Sequence, residues 1–263
     1  MTIPLTGARL SSRALDGSFA PAELPSLLCR PLLFGHSGRL VIEQPDGGRL
    51  FTWSTGRLLA VDGTAPDESL VPFVAQVAGE QGLHRIQQRL LRTRRADQPL
   101  SVALRGAGVL DPAVALAAEQ AQALHGVAAT LTAGEAIAWF EPGPAEGATP
   151  TLDGFAALWF GLGAAYDDAE LVMLARNLEG RTRTSDVGVA LIRQVPAVDP
   201  AIARLAIAAR PASDDDLRTL GALVLAGFVA FEGEPVTAPT PRPGAADGAE
   251  VDEALKGIGL DAH

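Results

Sequence analysis

Cysteine is almost absent from this chain of 263 residues. Cys29 is the only one, which excludes an internal disulfide and favours a reducing cytoplasm. Long apolar runs are missing too: the longest, Phe155–Tyr166 and Leu220–Phe231, have about 12 residues each, and a helix needs roughly 20 to cross a bilayer. The first residues, MTIPLTGARLSSR, lack the apolar run of a signal peptide. We therefore expect a cytoplasmic protein without a membrane span.

Residues that bind metals or perform catalysis are few and scattered. The four histidines show no metal-ligand spacing with Cys29 or with a carboxylate pair; they are His36, His84, His125 and His263. The chain has no G-x-x-x-x-G-K-[ST] loop and no G-x-S-x-G motif. Cys29 lies in an apolar segment, which favours a core position over a nucleophile, although both interpretations stay open. We expect no catalytic, cofactor-binding or metal-binding residue.

Two acidic clusters, Asp167–Asp168 and Asp214–Asp216, place carboxylates close together in the sequence. Paired carboxylates can serve acid–base catalysis. Both clusters, however, stand where helices are predicted to begin, and acids there interact favourably with the helix dipole. Helix capping is therefore a sufficient interpretation of both.

The formal net charge of −10 disfavours nucleic acid and anionic membranes as partners of the whole chain. One segment departs from this balance, because Gln81–Arg95 contains five arginines and no acid. Helical spacing places Arg85, Arg89 and Arg92 on one face and apolar residues on another. This face is either a binding site for an acidic partner, nucleic acid or anionic lipid, or simply a solvated helix surface. We retain these arginines as candidate interaction residues.

The stretch Gly38–Gly63 predicts the centre of the fold. Its triplet Gly-Arg-Leu occurs three times, each time after a turn signal and before a short β-rich run: LVIEQ, LFTWS and LLAVD. Pro45–Gly48 is a strong hairpin signal, and Ser54–Gly56 is a weaker one. The pattern predicts a three-stranded antiparallel meander.

Strict alternation along these strands predicts apolar side chains on both faces of the meander. The predicted sets are Leu40, Ile42, Leu50, Leu58 and Ala60 on one face, and Val41, Phe51, Trp53, Leu59 and Val61, with charged residues where the strands start, on the other. A solvated face would be polar throughout. Because burying each large side chain stabilises by roughly 1.5–3 kcal/mol, the second face needs cover. The cover is either the rest of this chain, with Trp53 as a core anchor, or another protein. We predict that another protein supplies part of it, at Phe51, Trp53 and Leu59.

The flanking segments predict an α+β unit around this meander. Gly17–Phe19 is expected to form a short edge strand, and Ala22–Phe34 a helix that covers one face. A second helix begins after Asp67–Ser69. Asp111 followed by Pro112 is an N-cap signal for a helix to about residue 131. The run EAIAWF, at residues 135–140, then predicts a strand.

A resemblance to a known family rests on these same residues. The order of the segment LPSLLCRPLLFGHSGRLVIE, a hairpin, the run RLFTWSTGRLLAVDG and an amphipathic helix resembles the PATAN domain of bacterial signalling and of gliding or twitching proteins. The resemblance covers about residues 17–95, and its most specific part is Gly38–Gly63. It implies a non-enzymatic protein-interaction module.

The remainder of the chain predicts a mainly helical part. Helices are expected at about 153–162, 167–178, 200–210 and 217–226, the last stopped by Gly227 and followed by a strand at 228–231. This order resembles a winged-helix-like unit. The predicted divisions are a leader at 1–16, a PATAN-like α+β domain at 17–140, a linker or loop at 141–150, the helical domain at 151–233 and a flexible tail at 234–263, with a short terminal helix or docking peptide at 251–260.

Three functions follow from these patterns. The first is a cytoplasmic adaptor or regulator that binds another protein, or a second copy of itself, in bacterial signalling, polarity or motility. The second is a DNA-binding transcription regulator that uses the winged-helix-like unit. That function needs basic residues on its last helix, where Asp214–Leu225 offers three acids and Arg218 alone. The third is an enzyme of a class that these motifs do not identify.

Overall fold

The structure is a computed structural model that describes residues 4–5, 15–93, 111–144, 154–178, 182–184, 213–231, 234 and 236–242. Its helices are α1 (Leu24–Phe34), α2 (Leu70–Thr93), α3 (Pro112–Thr132), α4 (Gly154–Ala165), α5 (Asp168–Asn177) and α6 (Asp214–Leu225). Its strands are β1 (Pro4–Leu5), β2 (Gly17–Phe19), β3 (Gly38–Gln44), β4 (Gly47–Ser54), β5 (Arg57–Gly63), β6 (Ala136–Pro142), β7 (Thr182–Thr184), β8 (Val229–Phe231) and β9 (Val236–Thr237). This mixture of helices with an antiparallel sheet confirms the coarse α+β class.

Five strands form the main sheet, in the order β2-β6-β3-β4-β5 with every neighbour antiparallel. The predicted meander is confirmed as β3, β4 and β5. The predicted strands at 17–19 and 135–140 are confirmed as β2 and β6. β6 lies between β2 and β3, so a strand distant in the sequence pairs with the start of the meander along most of its length.

Two tight turns set the register of the meander. Gln44 pairs with Gly47 across a two-residue turn, which places Leu40 opposite Phe51. Ser54 pairs with Arg57 across Thr55 and Gly56, whose φ angles of 47° and 76° are those of a primed hairpin turn. The register then shifts by one residue between Thr52 and Trp53, as at a β-bulge. These turns decide which side chains share a face.

One face of the sheet is buried beneath helices. It carries Leu40, Ile42, Phe51, Trp53, Leu58 and Val61, all at most 3% exposed. α3 packs on β5, where Gly126 lies against the side chain of Val61. α4 begins over the same face, because a Cβ on Gly154 would lie 3.2 Å from Cζ3 of Trp53. The cover therefore comes from segments on both sides of the predicted linker at 141–150, and the domain boundaries stay a prediction.

Small residues let the helices approach closely. α3 is rich in buried alanines and is buried on nearly all sides, between the sheet, α2 and α4. Gly161 of α4 lies directly against Val127 of α3. The aromatic ring of Phe155 in α4 meets Phe228 edge-on, with 5.3 Å between centroids, which continues the core toward the end of the chain.

α5 and α6 pack closely against each other and are joined by ion pairs. Gly221 of α6 lies against the backbone carbonyl of Leu171 in α5, where no side chain fits. Two ion pairs join the helices, one near each end of α5: Arg176 with Asp214 at 2.8 Å, and Arg218 with Asp168 at 2.7 Å. α6 ends as predicted at Gly227, whose φ of 80° suits a residue without a Cβ.

The predicted helix starts are confirmed by their hydrogen bonds. Asp111 caps α3 by accepting from the backbone N–H of Ala113 at 2.8 Å, and Asp167 caps α5 by accepting from Ala169 at 2.8 Å. α2 carries one departure from the predicted pattern. Gly79, with φ of 71°, breaks it into two helical stretches that continue to Thr93.

The guanidinium of Arg49 is the polar centre of the structure. Arg49 is 2% exposed, because the register of β4 turns it toward the buried face. Its Nε donates to both carboxylate oxygens of Glu68 at 3.0 Å, and Nη1 donates to Oε1 of Gln44 at 2.9 Å. Nη2 donates to Asp46 and to Glu68, each at 2.5 Å. Burial alone lowers the pKa of the guanidinium, but the bonds with Asp46 and Glu68 outweigh it and raise the pKa.

This network ties several elements together. Gln44, held by Arg49, donates through Nε2 to the carbonyls of Thr130 at 3.0 Å and Gly134 at 3.2 Å, at the end of α3. Gln122 of α3 donates to the carbonyl of Glu68 at 2.9 Å. The hairpin, the turn after β5 and α3 therefore share one set of hydrogen bonds.

Two short segments, one in the predicted leader and one in the predicted flexible tail, pair with each other as β1 and β9. The backbone N–H of Arg242 donates to the carbonyl of Ala165 at 2.7 Å, and its Nη2 donates to Tyr166 at 2.6 Å. Carbonyls at the end of a helix lack partners within it, and a basic side chain there is favourable. The predicted helices at 200–210 and 251–260 lie outside the described residues.

A substitution at the α5–α6 contact tests how close the helices are. Gly221→Ala places a methyl group against the Leu171 carbonyl and should lower the free energy of unfolding by about 1–3 kcal/mol. Gly163→Ala in α4 is the control, because its Cβ would meet only Nη2 of Arg218, at 3.7 Å. It should be neutral or stabilising by up to about 1 kcal/mol. Urea denaturation measures both, and equal effects would contradict the close contact.

Removing the central cation tests the Arg49 network. Arg49→Met leaves Glu68 buried without its partner and should lower the free energy of unfolding by about 3–5 kcal/mol. Adding Glu68→Met should recover part of this loss, because the buried charge is then removed as well. The exposed Arg39→Met should change stability by no more than about 0.5 kcal/mol. Strictly additive losses in the double variant would contradict the network.

Candidate protein-interaction surface

The three sheet residues predicted to contact a partner are buried within this chain. Phe51 and Trp53 are 0% exposed, and Leu59 is 2% exposed. The prediction that another protein covers them is therefore wrong. It assigned faces by residue parity within each strand, but the two-residue turn places Leu40 opposite Phe51, and the bulge brings Leu58 opposite Trp53. Leu40, Phe51, Trp53 and Leu58 therefore belong to the core on the helix-covered face.

The opposite face of the sheet carries a different apolar row. Val41 pairs with Trp139 on one side and with Leu50 on the other, so three adjacent strands place these side chains in one line. All three are partly exposed. Ile137 lies one step along β6 from this line and is 55% exposed. We call these four residues the outer stripe.

Charged residues surround the outer stripe. Pairing places Glu43 beside Ile137, Asp62 beside Leu50, and Arg39 opposite Glu141 on the row beyond Trp139. Trp139 donates from Nε1 to Oε1 of Glu141 at 3.4 Å. Apolar side chains at the centre with a charged rim are the arrangement of protein interfaces.

An open cleft of about 630 Å³ adjoins the outer stripe at the end of the sheet. The end of β2 forms one wall, the β3–β4 turn forms the other, and Glu135 and Ala136 form its floor. Ile137 and Glu43 belong both to the cleft and to the outer face. Sequence reasoning missed this cleft because it depends on β6 lying between β2 and β3, which no local pattern indicates.

The arginine-rich segment is partly as predicted. It forms the second stretch of α2, where Arg85 is exposed and Ile86 is 5% exposed. Arg85 therefore points to solvent and Ile86 points to the core, as the helical spacing predicts. The side chains of Arg89 and Arg92 lie outside what the structure describes. Arg85 does not lie on the outer stripe, and its role in binding stays a prediction.

The other candidate groups have structural roles. Cys29 is fully buried, which confirms its core position, and burial raises the pKa of its thiol. Asp167 and Asp168 serve as the cap of α5 and the partner of Arg218. The basic residue on which the DNA-binding alternative depends is thus paired within the chain. Within the described residues, no group of three or more His, Cys, Asp or Glu side chains could hold a metal ion.

Two tryptophans lie on opposite faces of the sheet, so their substitution should lower the free energy of unfolding by different amounts. Trp53→Ala should lower the free energy of unfolding by about 3–5 kcal/mol, because it empties a large volume in the core. Trp139→Ala should lower it by about 1 kcal/mol or less, because that ring lies on the outer face. Chemical denaturation followed by circular dichroism measures both. Similar losses would show that Trp139 is as enclosed as Trp53.

Comparison with known proteins leaves this surface without a described counterpart. The chain matches no family model, no curated protein sequence and no solved structure. Among the helices of the described residues, none is both long enough and apolar enough to span a membrane. The function proposed below therefore rests on this chain's own residues.

Proposed function

We propose that the protein is a non-enzymatic interaction module, an adaptor or regulator, whose outer sheet face binds another protein. The outer stripe is the observation that carries this proposal. Trp139, Val41 and Leu50 lie in one line across three strands, and Ile137 beside them is 55% exposed. Aromatic and aliphatic side chains at the centre of a patch supply most of the energy of protein binding.

A different protein suits this face better than a second copy of the chain. Glu43, Asp62 and Glu141 outnumber Arg39 around the stripe, and the chain has a formal net charge of −10. Two copies meeting through this face would bring like charges together, which is unfavourable. A partner with an apolar centre and a basic rim complements both features. We therefore propose a heterologous partner of that chemistry.

The pathway follows from the family resemblance rather than from the surface. PATAN-like sequences imply an interaction module in bacterial signalling, polarity or motility, and we propose the same setting here. The resemblance rests on the order of a helix and a hairpin-linked run of strands, and α1 and the meander stand in that order. Arg85 on α2 is a separate exposed position that an acidic region of a partner would contact.

Two equally exposed apolar residues allow a matched test of the binding face. Ile137 on the outer stripe is 55% exposed, and Met173 on α5 is 54% exposed. Ile137→Glu should remove a partner that the native chain retains in a pull-down from the native cytoplasm, because it places a charge at the centre of the interface. Met173→Glu should retain it. Quantitative mass spectrometry identifies proteins that follow this pattern.

Purified partner then gives the size of the effect. Ile137→Glu and Trp139→Glu should each weaken the Kd by at least about tenfold, as for a residue near the centre of an interface. Circular dichroism should show that both variants melt near the native temperature. A partner retained equally by native, Ile137→Glu and Met173→Glu chains would place the binding face elsewhere.

A further inference from the structure

The cleft beside the outer stripe is open and large enough to admit a long side chain of a partner. β6 begins there between the end of β2 and the β3–β4 turn, since Phe19 of β2 pairs with Ala136 and Glu43 of β3 pairs with Ile137. Neighbouring strands lie about 4.8 Å apart, so the walls stand roughly two spacings, or about 9.5 Å, from each other. This width admits an extended side chain with its polar end group, and the volume of about 630 Å³ leaves room for solvent.

The described charged side chains that line the cleft are all acidic. Glu23, Glu43 and Glu135 line it, and no described basic side chain does. Glu23 accepts a hydrogen bond from the backbone N–H of Ala20 at 3.1 Å. The side chains of Glu43 and Glu135 are exposed, and within the described residues neither carboxylate makes a hydrogen bond or an ion pair. Two carboxylates flanking one opening suit a cationic group.

The walls of the cleft are apolar where a side-chain stem would lie. Phe19, Pro45 and Ile137 line it together with the carboxylates. Arginine and lysine bury their methylene stems against such surfaces while the charged end stays near water or a carboxylate. Arginine fits better than lysine, because its planar guanidinium can bind a single carboxylate through two parallel hydrogen bonds.

The cleft and the outer stripe form one continuous surface through Ile137 and Glu43. We infer that the partner presents an arginine-bearing segment: the arginine enters the acid-lined cleft, and neighbouring apolar side chains of the segment cover the outer stripe. This inference rests on the proposed function, since the stripe is the binding face of both. The inference adds to that function the type of side chain, arginine, that the surface binds.

A phage-displayed library of random peptides tests this selection without knowledge of the partner. The full chain is immobilised as the native protein, as Trp139→Glu, and as the double variant Glu43→Gln with Glu135→Gln. The native chain should enrich peptides in which arginine stands near aliphatic or aromatic residues. The double variant should enrich apolar peptides with arginine at its library frequency, and Trp139→Glu should enrich none above an uncoated surface.

The enriched peptide then measures the contact directly. Replacing its arginine with citrulline, which keeps the shape and removes the charge, should weaken the Kd for the native chain by about tenfold, as for a charge-assisted bond. The double variant should bind both peptides equally weakly. Unchanged thermal melting establishes that the glutamine variants are folded.

The possible failures are distinguishable. If native protein enriches peptides without a preference for arginine, or binds the citrulline peptide as well as the arginine peptide, the cleft does not select a cation, while the outer stripe still stands as the binding face. If enrichment is absent, or survives Trp139→Glu unchanged, the outer stripe is not the binding face and the proposed function loses its support as well.

Discussion

The pairing of Gln44 with Gly47 decides which side of the main sheet is buried. A two-residue turn joins β3 to β4, so Leu40 lies opposite Phe51 and Ile42 lies opposite Arg49. A slip of one residue would move Phe51 and Trp53 to the outer face and Leu50 to the core. Arg49 holds the turn in place, because its guanidinium binds Gln44 and Asp46 on the turn and Glu68 beyond β5.

That register has a cost which the packing offsets. It buries a cation, and an unpaired cation in a core is strongly unfavourable. Two carboxylates and an amide satisfy the guanidinium, and α3 reaches the same network through Gln122. α3 can approach so closely because its buried side is formed largely of alanine and glycine. The described helices therefore cover one face tightly, while the other face keeps partly exposed side chains.

Much of this fold was predictable from local signals, and the surface was not. Turn residues, N-caps and Gly227 act within a few positions of themselves, so the meander, the starts of α3 and α5 and the end of α6 were predicted correctly. The face on which a side chain lies depends on the pairing between strands. Alternation counted within each strand alone therefore grouped Phe51 and Trp53 with side chains of the opposite face. The position of β6 and the β1–β9 pairing are long-range contacts that no local pattern carries. The outer stripe and the cleft both depend on β6.

Hydroxyl-radical footprinting of the native protein tests directly whether one face of the main sheet is covered while the other is partly exposed. It compares the oxidation rates of two tryptophans on opposite faces of the same sheet, without any substitution. Trp53 is 0% exposed, while Trp139 is partly exposed. The structure predicts that Trp139 is oxidised several times faster than Trp53. Equal rates, or faster oxidation of Trp53, would contradict the register and with it the placement of the binding face.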